Sequence, residues 1–175
     1  FTVDLVGGRE STAEFRHPAT GKRVRITYNA HYTNLPTASQ KPDISLEIIG
    51  GGTYIFDAKY RLATTGEYLR VYGTAGPEVE DINTMHRYRD AIILPSTDSL
   101  TAHQTIVKQA IVLFPYADSK GYANHKFCTS IEKVGIGGLP FLPNNFSLVK
   151  EHLNAILIEE GVKERQPKPK PAFGA

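Results

Sequence analysis

The sequence predicts an α/β or α+β sandwich, and three stretches carry that reading. KPDISLEIIGGGTYIFDAKYR (41 to 61) is two alternating runs joined by Gly50, Gly51 and Gly52, and TIVKQAIVLFP (105 to 115) is a long β-branched run. NNFSLVKEHLNAILIEEG (144 to 161) repeats apolar residues at helical spacing. Alternation marks strands, and recurrence every three or four residues marks a helix. With 175 residues, 41% of them hydrophobic and 22% charged, the chain has the size and composition of one domain with its own core.

The elements follow in order. FTVDLVGGRE opens without an initiating Met or a signal-peptide pattern, which reads as a piece of a longer chain. GKRVRITYNA predicts a strand at 22–28 after the His-Pro-Ala-Thr-Gly turn, and HYTNLPTASQ a loop. Strands at 43–49 and 53–60 flank the three glycines, whose tolerance of positive φ suits a tight hairpin. Residues 66–77 read as a loop. EDINTMHRYRDAIIL is a helix through Ile82, Met85, Ile92 and Ile93, with Asp81 as N-cap and Pro95 as stop. The run at 105–115 is a buried strand, HKFCTSIEKV (125–134) a further strand, and GIGG (135–138) a turn. The last helix places Phe146, Val149, Leu153, Ile156 and Leu157 on one stripe and ends in solvated Glu159 and Glu160. The domain is thus expected over 1–162, followed by a basic, Pro-rich tail over 163–175.

Several function classes are unsupported. No segment approaches the roughly 20 apolar residues of a membrane span. Cys128 is the single cysteine, which leaves no internal disulfide or thiolate zinc cluster and fits a reducing cytoplasm. The histidines are scattered, with no HExxH or Ser/His/Asp spacing, and GIGG lacks the Lys-Ser/Thr of a phosphate loop. A net charge of +2 permits a nucleic-acid partner without demanding one.

The hairpin holds the chemistry. With the turn centred on Gly51, residue 43 faces 59 and 45 faces 57, so Ile44, Leu46, Ile48, Tyr54, Phe56, Ala58 and Tyr60 share a core face. Asp43, Ser45, Glu47, Asp57, Lys59 and Arg61 share the other. Opposed residues lie about 4.5–5.5 Å apart at Cβ, which puts Asp43 opposite Lys59 and diagonal to Asp57. Two carboxylates beside an ammonium suit a hard cation such as Mg²⁺, whose waters a phosphodiester oxygen can replace. Mixed charges on a solvent-facing hairpin are also common as mere surface ion pairs. Pro42 directly before Asp43, and an aspartate in mid-strand at 57, sharpen the functional reading.

Pro42-Asp43, a spacer and Asp57-Ala58-Lys59 together resemble the signature of the PD-(D/E)XK nuclease superfamily. TYNAHY, KPDISLEI, YIFDAKYR, DINTMHRYRDAI, AIVLFPY and VGIGGLPFLP, over most of 24–143, resemble the nuclease part of prokaryotic restriction-associated proteins related to the nuclease subunit of McrBC-type systems. The resemblance implies a restriction-endonuclease-like core, a central mixed β-sheet flanked by helices. It implies a Mg²⁺-dependent endonuclease acting on double-stranded DNA, with Mn²⁺ able to substitute, as the cleavage module of a restriction or defence protein with further domains or subunits. Asp43, Asp57 and the carbonyl of Ala58 would hold the metal and Lys59 would assist the water. From the following helix His86 and Arg89 are auxiliary candidates, with Tyr88 read as core beside Met85 and Ile92. Glu47 is a candidate for a third carboxylate, because the glutamate that many members carry on a preceding helix has only Glu10 and Glu14 as nearby acids, in a segment with no helical stripe. Cutting both strands at once needs a second copy, which makes a homodimer one expected arrangement. The rival reading is a non-catalytic DNA-binding or assembly domain that keeps the fold.

Overall fold

A computed structural model of the chain describes residues 9–95 and 103–163. A six-stranded mixed sheet forms its centre, in the order β1-β2-β3-β4-β7-β8. β1 (Ser11–Arg16), β2 (Arg23–Tyr28), β3 (Ile44–Ile48) and β4 (Thr53–Ala58) form an antiparallel meander. β7 (Val107–Phe114) and β8 (Ile136–Pro140) then add in parallel beside β4. α1 (Gly66–Tyr72), α2 (Val79–Ala91) and a small antiparallel pair, β5 (Ile93–Pro95) and β6 (His103–Thr105), connect β4 to β7. α3 (Ser119–Tyr122) and α4 (Lys126–Val134) connect β7 to β8, and α5 (Ser147–Glu159) closes the described chain. This is the mixed sheet with flanking helices that the sequence predicts.

Alternation along the strands sorts the core into two layers. Leu46, Ile48, Tyr54, Phe56, Ile111, Leu113 and Leu139 face Val149 and Ile156 of α5. Ile55, Ala110, Val112 and Ile136 face Ile82, Met85 and Tyr88 of α2. Burying each large apolar side chain contributes about 1.5–3 kcal/mol, so β4 and β7, covered on both sides, anchor the fold.

The hairpin turn is centred on Gly50, one residue before the predicted centre at Gly51. The Gly51 amide donates to the Ile48 carbonyl across 2.8 Å, and Gly50 occupies the turn at φ +80°, a conformation that favours glycine. Ile44 therefore pairs with Phe56 and Ser45 with Ile55, a slide of two residues from the expected pairing. Even slides preserve the faces, but continuing this register past Ile44 sets Asp43 opposite Asp57 and not opposite Lys59 as expected.

Other expectations change for identifiable reasons. The charged face of the hairpin is no solvent face where it matters: Ser45, Ile55 and Asp57 are buried. Tyr60, expected in the core, is 95% exposed because β4 ends at Ala58. The stretch 125–134 is a helix, capped by His125 Nδ1, which accepts from the Phe127 amide at 3.1 Å, and ended by Gly135 at φ +70°. GIGG leads into β8 rather than forming a turn: a side chain at Gly137 would collide with the Phe127 carbonyl of α4, so glycine lets the helix lie close. Residues 66–72 are helical, with the Thr65 hydroxyl accepting from the Tyr68 amide at 3.2 Å. Asp81 is not the N-cap, a position taken by Glu78. It lies in the first turn of α2, buried against Arg61. Glu160 is buried and not solvated. The tail from 164 onward lies outside the described residues.

Candidate active site

Asp57 sits near the end of β4, 2% exposed, with α2 packed over its face of the sheet. Its Oδ1 accepts from the Tyr88 hydroxyl at 3.2 Å, and the same hydroxyl lies 3.3 Å from the Lys41 carbonyl. Tyr88 thereby ties α2 to both the second acidic strand and the chain entering Pro42-Asp43. The Asp57 Oδ2 is buried and receives no aligned hydrogen bond. It meets the Lys59 ammonium in an ion pair.

Asp43 directly precedes β3 and is half-buried. Its Oδ2 accepts from the Ala58 amide at 2.8 Å, which locks the first acidic residue to the backbone between Asp57 and Lys59. The Lys59 amide in turn donates to the Leu113 carbonyl at 2.8 Å, so the β4 backbone is held in the sheet one residue past its end. Two negative side chains and one positive one therefore converge on a single rigid strand terminus.

The electrostatics follow from burial. Desolvation pushes the Asp57 carboxyl above its ordinary range; Lys59 and Tyr88 oppose this and the neighbouring Asp43 adds to it. Burial, then the charge of Asp57, pushes the Tyr88 hydroxyl up to about 12, so it remains a proton donor at any working pH.

The auxiliary candidates lie elsewhere. Glu47 sits in the β2–β3 ladder opposite Arg25 and pairs with it at 2.9 Å, toward the turn end of the hairpin. Arg89 donates to the Val134 carbonyl at 2.6 Å and pairs with Asp90, serving the C-terminal end of α4. His86 is on the exposed side of α2. Glu14 is in β1, paired with Arg23 and Arg25, and Glu10 accepts from the His31 amide at 3.1 Å. Among the described residues no group of three or more His, Cys, Asp and Glu side chains gathers as a metal site. Two carboxylates still fit a hexacoordinate cation that keeps several waters, and the buried Oδ2 of Asp57, held by the Lys59 ammonium, is the oxygen such an ion would share.

Tyr88, weighed with His86 and Arg89 as a site candidate and read rather as core, has both roles. Its ring is indeed buried among Ile55, Met85 and Val112, but the hydroxyl reaches the carboxylate. A polar tip on a tyrosine at a core position was the available signal.

Over residues 1–119 the chain matches the family model of the PD-(D/E)XK nuclease superfamily. The chain belongs to that superfamily. The match spans Asp43, Asp57, Lys59 and Tyr88. PD-(D/E)XK nucleases act on nucleic acids and typically use divalent metals. No match was found among curated proteins or among solved structures. Among the described residues of this PD-(D/E)XK domain, no helix is long and apolar enough to cross a membrane.

Proposed function

We propose that this PD-(D/E)XK domain is a metal-dependent DNA endonuclease in which Asp43, Asp57 and Lys59 carry phosphodiester hydrolysis. Its setting would be the cleavage module of a prokaryotic restriction or defence protein, of the kind related to McrBC-type nuclease subunits. The observation that carries the reading is the buried Asp57 carboxylate, with Oδ2 against the Lys59 ammonium and Asp43 bound to the intervening amide.

Asp43, Asp57 and the Ala58 carbonyl would hold Mg²⁺, or Mn²⁺ in its place. When bound, such an ion polarises the phosphate and acidifies the attacking water. Tyr88 holds Asp57 Oδ1 and leaves Oδ2 on the side of the Lys59 ammonium. The Lys59 side chain, 31% exposed, is reachable from solvent and can turn from Asp57 to orient the water or to meet negative charge developing on the phosphoryl oxygens. α2 excludes water from the rear of Asp57, which strengthens each of these interactions.

Incubation of supercoiled plasmid with Mg²⁺ or Mn²⁺, beside Asp57→Ala and Lys59→Ala, tests this. Nicking or linearisation by the parent and not by either variant is the expected outcome, with linear product favouring a homodimer on double-stranded DNA. Silence from all three would favour a binding or assembly domain that retains the fold.

A further inference from the structure

We propose that Tyr60 is a stacking platform for an unpaired nucleobase next to the scissile phosphate, so that the preferred substrate is a nucleic-acid strand with a single-stranded or frayed segment at the cut. This rests on the nuclease reading of the neighbouring Lys59 and names the substrate class of that site.

Tyr60 is 95% exposed, whereas the next most exposed large apolar side chain among the described residues, Val71, is 62% exposed. Ordinary surface tyrosines lean their rings on neighbours; this one has its body in water immediately after Lys59. The backbone that bears it is nonetheless fixed on both sides. Before it, the Lys59 amide is bound to the Leu113 carbonyl at 2.8 Å. After it, Arg61 grips the buried Asp81 with two bonds, Nε to Oδ2 at 3.1 Å and a second guanidinium nitrogen to Oδ1 at 2.5 Å. An aromatic ring held on a rigid segment loses little freedom when it binds, the condition for a contact residue.

Chemistry then selects the ligand. A phosphodiester brought to Lys59 carries its bases within a residue's reach, and every base offers a π-face to an aromatic ring. Bases in an intact duplex are stacked on one another and offer only their edges. The ring can therefore stack only on a base that is unpaired, at a strand end, in a gap, or in a locally melted segment.

The test is fluorescence anisotropy in EDTA and low salt, with a dye-labelled oligothymidine and a blunt duplex of equal length. The parent is compared with Tyr60→Ala and Tyr60→Trp, each first shown to keep the parent melting temperature. The expected result is about a ten-fold weaker hold on oligothymidine for Tyr60→Ala, near-parent affinity for Tyr60→Trp, and unchanged duplex affinity. Equal losses on both probes, no loss on either, or no binding of oligothymidine by the parent overturns the proposal. The last two outcomes would leave the ring to a protein partner. Because the readout needs neither metal nor cleavage, a silent plasmid assay with intact Tyr60-dependent binding would sink the cleavage reading alone. Plasmid cleavage with Tyr60-independent binding would sink the stacking alone.

Discussion

The Tyr88 hydroxyl donates to Oδ1 of Asp57 across 3.2 Å from the far side of the α2–sheet interface, joining a helix to the one deeply buried carboxylate of the hairpin. Phenylalanine at 88 keeps the ring's packing and removes the donor. Tyr88→Phe is expected to lose about 1–3 kcal/mol of stability in urea melts, because a buried acceptor loses its partner. If Asp57 holds metal as proposed, metal-dependent nicking falls about ten-fold or more, the usual cost of releasing a ligating carboxylate from its support. Parent-level activity in a folded Tyr88→Phe would show that the hydroxyl does not orient Asp57.

Asp57 sets stability against function. Its folded-state pKa is raised, chiefly by burial, so the native state holds the proton more tightly than the unfolded chain does. Stability from this group is then complete below the ordinary aspartate range and is lost as pH rises through the raised value. Without metal at neutral pH, Asp57→Asn should melt higher than the parent while being inactive. Metal reverses the order: at about ten times Kd it stabilises the parent by about 1.4 kcal/mol, about 3–6 °C at this size, and leaves Asp57→Asn nearly unmoved. Calorimetry with and without Mn²⁺ decides; equal shifts in both proteins would remove Asp57 from the metal site.

His125 gives the fold an acid-sensitive point. Buried and stacked on Tyr122 with ring centroids 4.5 Å apart, its imidazole is pushed down from 6.5 to about 4 by desolvation. Below pH 6.5 the unfolded chain takes up a proton that the folded one refuses, so stability declines by up to about 1.4 kcal/mol per pH unit, about 3 kcal/mol in all. His125→Asn retains an acceptor for the α4 cap and removes the titration. Its urea midpoint should fall less than the parent's between about pH 7 and pH 4.5.

The glycine turn is also clamped from α5. Glu160 accepts from the Tyr54 hydroxyl and the Lys108 ammonium, each at 2.6 Å, and a side chain at Gly51 would collide with its carboxylate. Burial favours protonation of Glu160, yet Lys108, Tyr54 and the Gly52 amide outweigh it and hold the carboxyl below its usual range. Gly51→Ala is expected to cost about 1–3 kcal/mol, and much less in a Glu160→Ala background. A double-mutant cycle with no coupling would place the strain elsewhere.

The legible parts of the sequence were those where one period dominates. The alternation in 44–48 and 53–58 located the central hairpin, the β-branched run located β7, and the three-four stripe located α5. Pro42-Asp43 and Asp57-Ala58-Lys59 pointed to the strand terminus because those residue types are uncommon in strands. What stayed hidden depended on partners distant in sequence. Lys126–Val134 has β-branched and aromatic residues that mimic a strand until its His and Gly caps are seen in place. Gly137 looks like a turn residue until α4 is laid against it, and Gly138 until Val112 and Pro77 are. The two-residue slide of the hairpin keeps every side chain on its face, so the hydrophobic pattern is blind to it.

β4 is the strand at which the sheet changes from antiparallel to parallel pairing, and its two edges are completed on different terms. The β3 edge closes across a short turn; the β7 edge waits for α1, α2 and the β5–β6 pair to be made. On a ribosome, where chain emerges from the N-terminus onward, Asp43, Asp57 and Lys59 are all out before Tyr88 or Leu113. The burial of Asp57 therefore depends on chain made after the hairpin, on α2 and β7, and not on the hairpin that carries it.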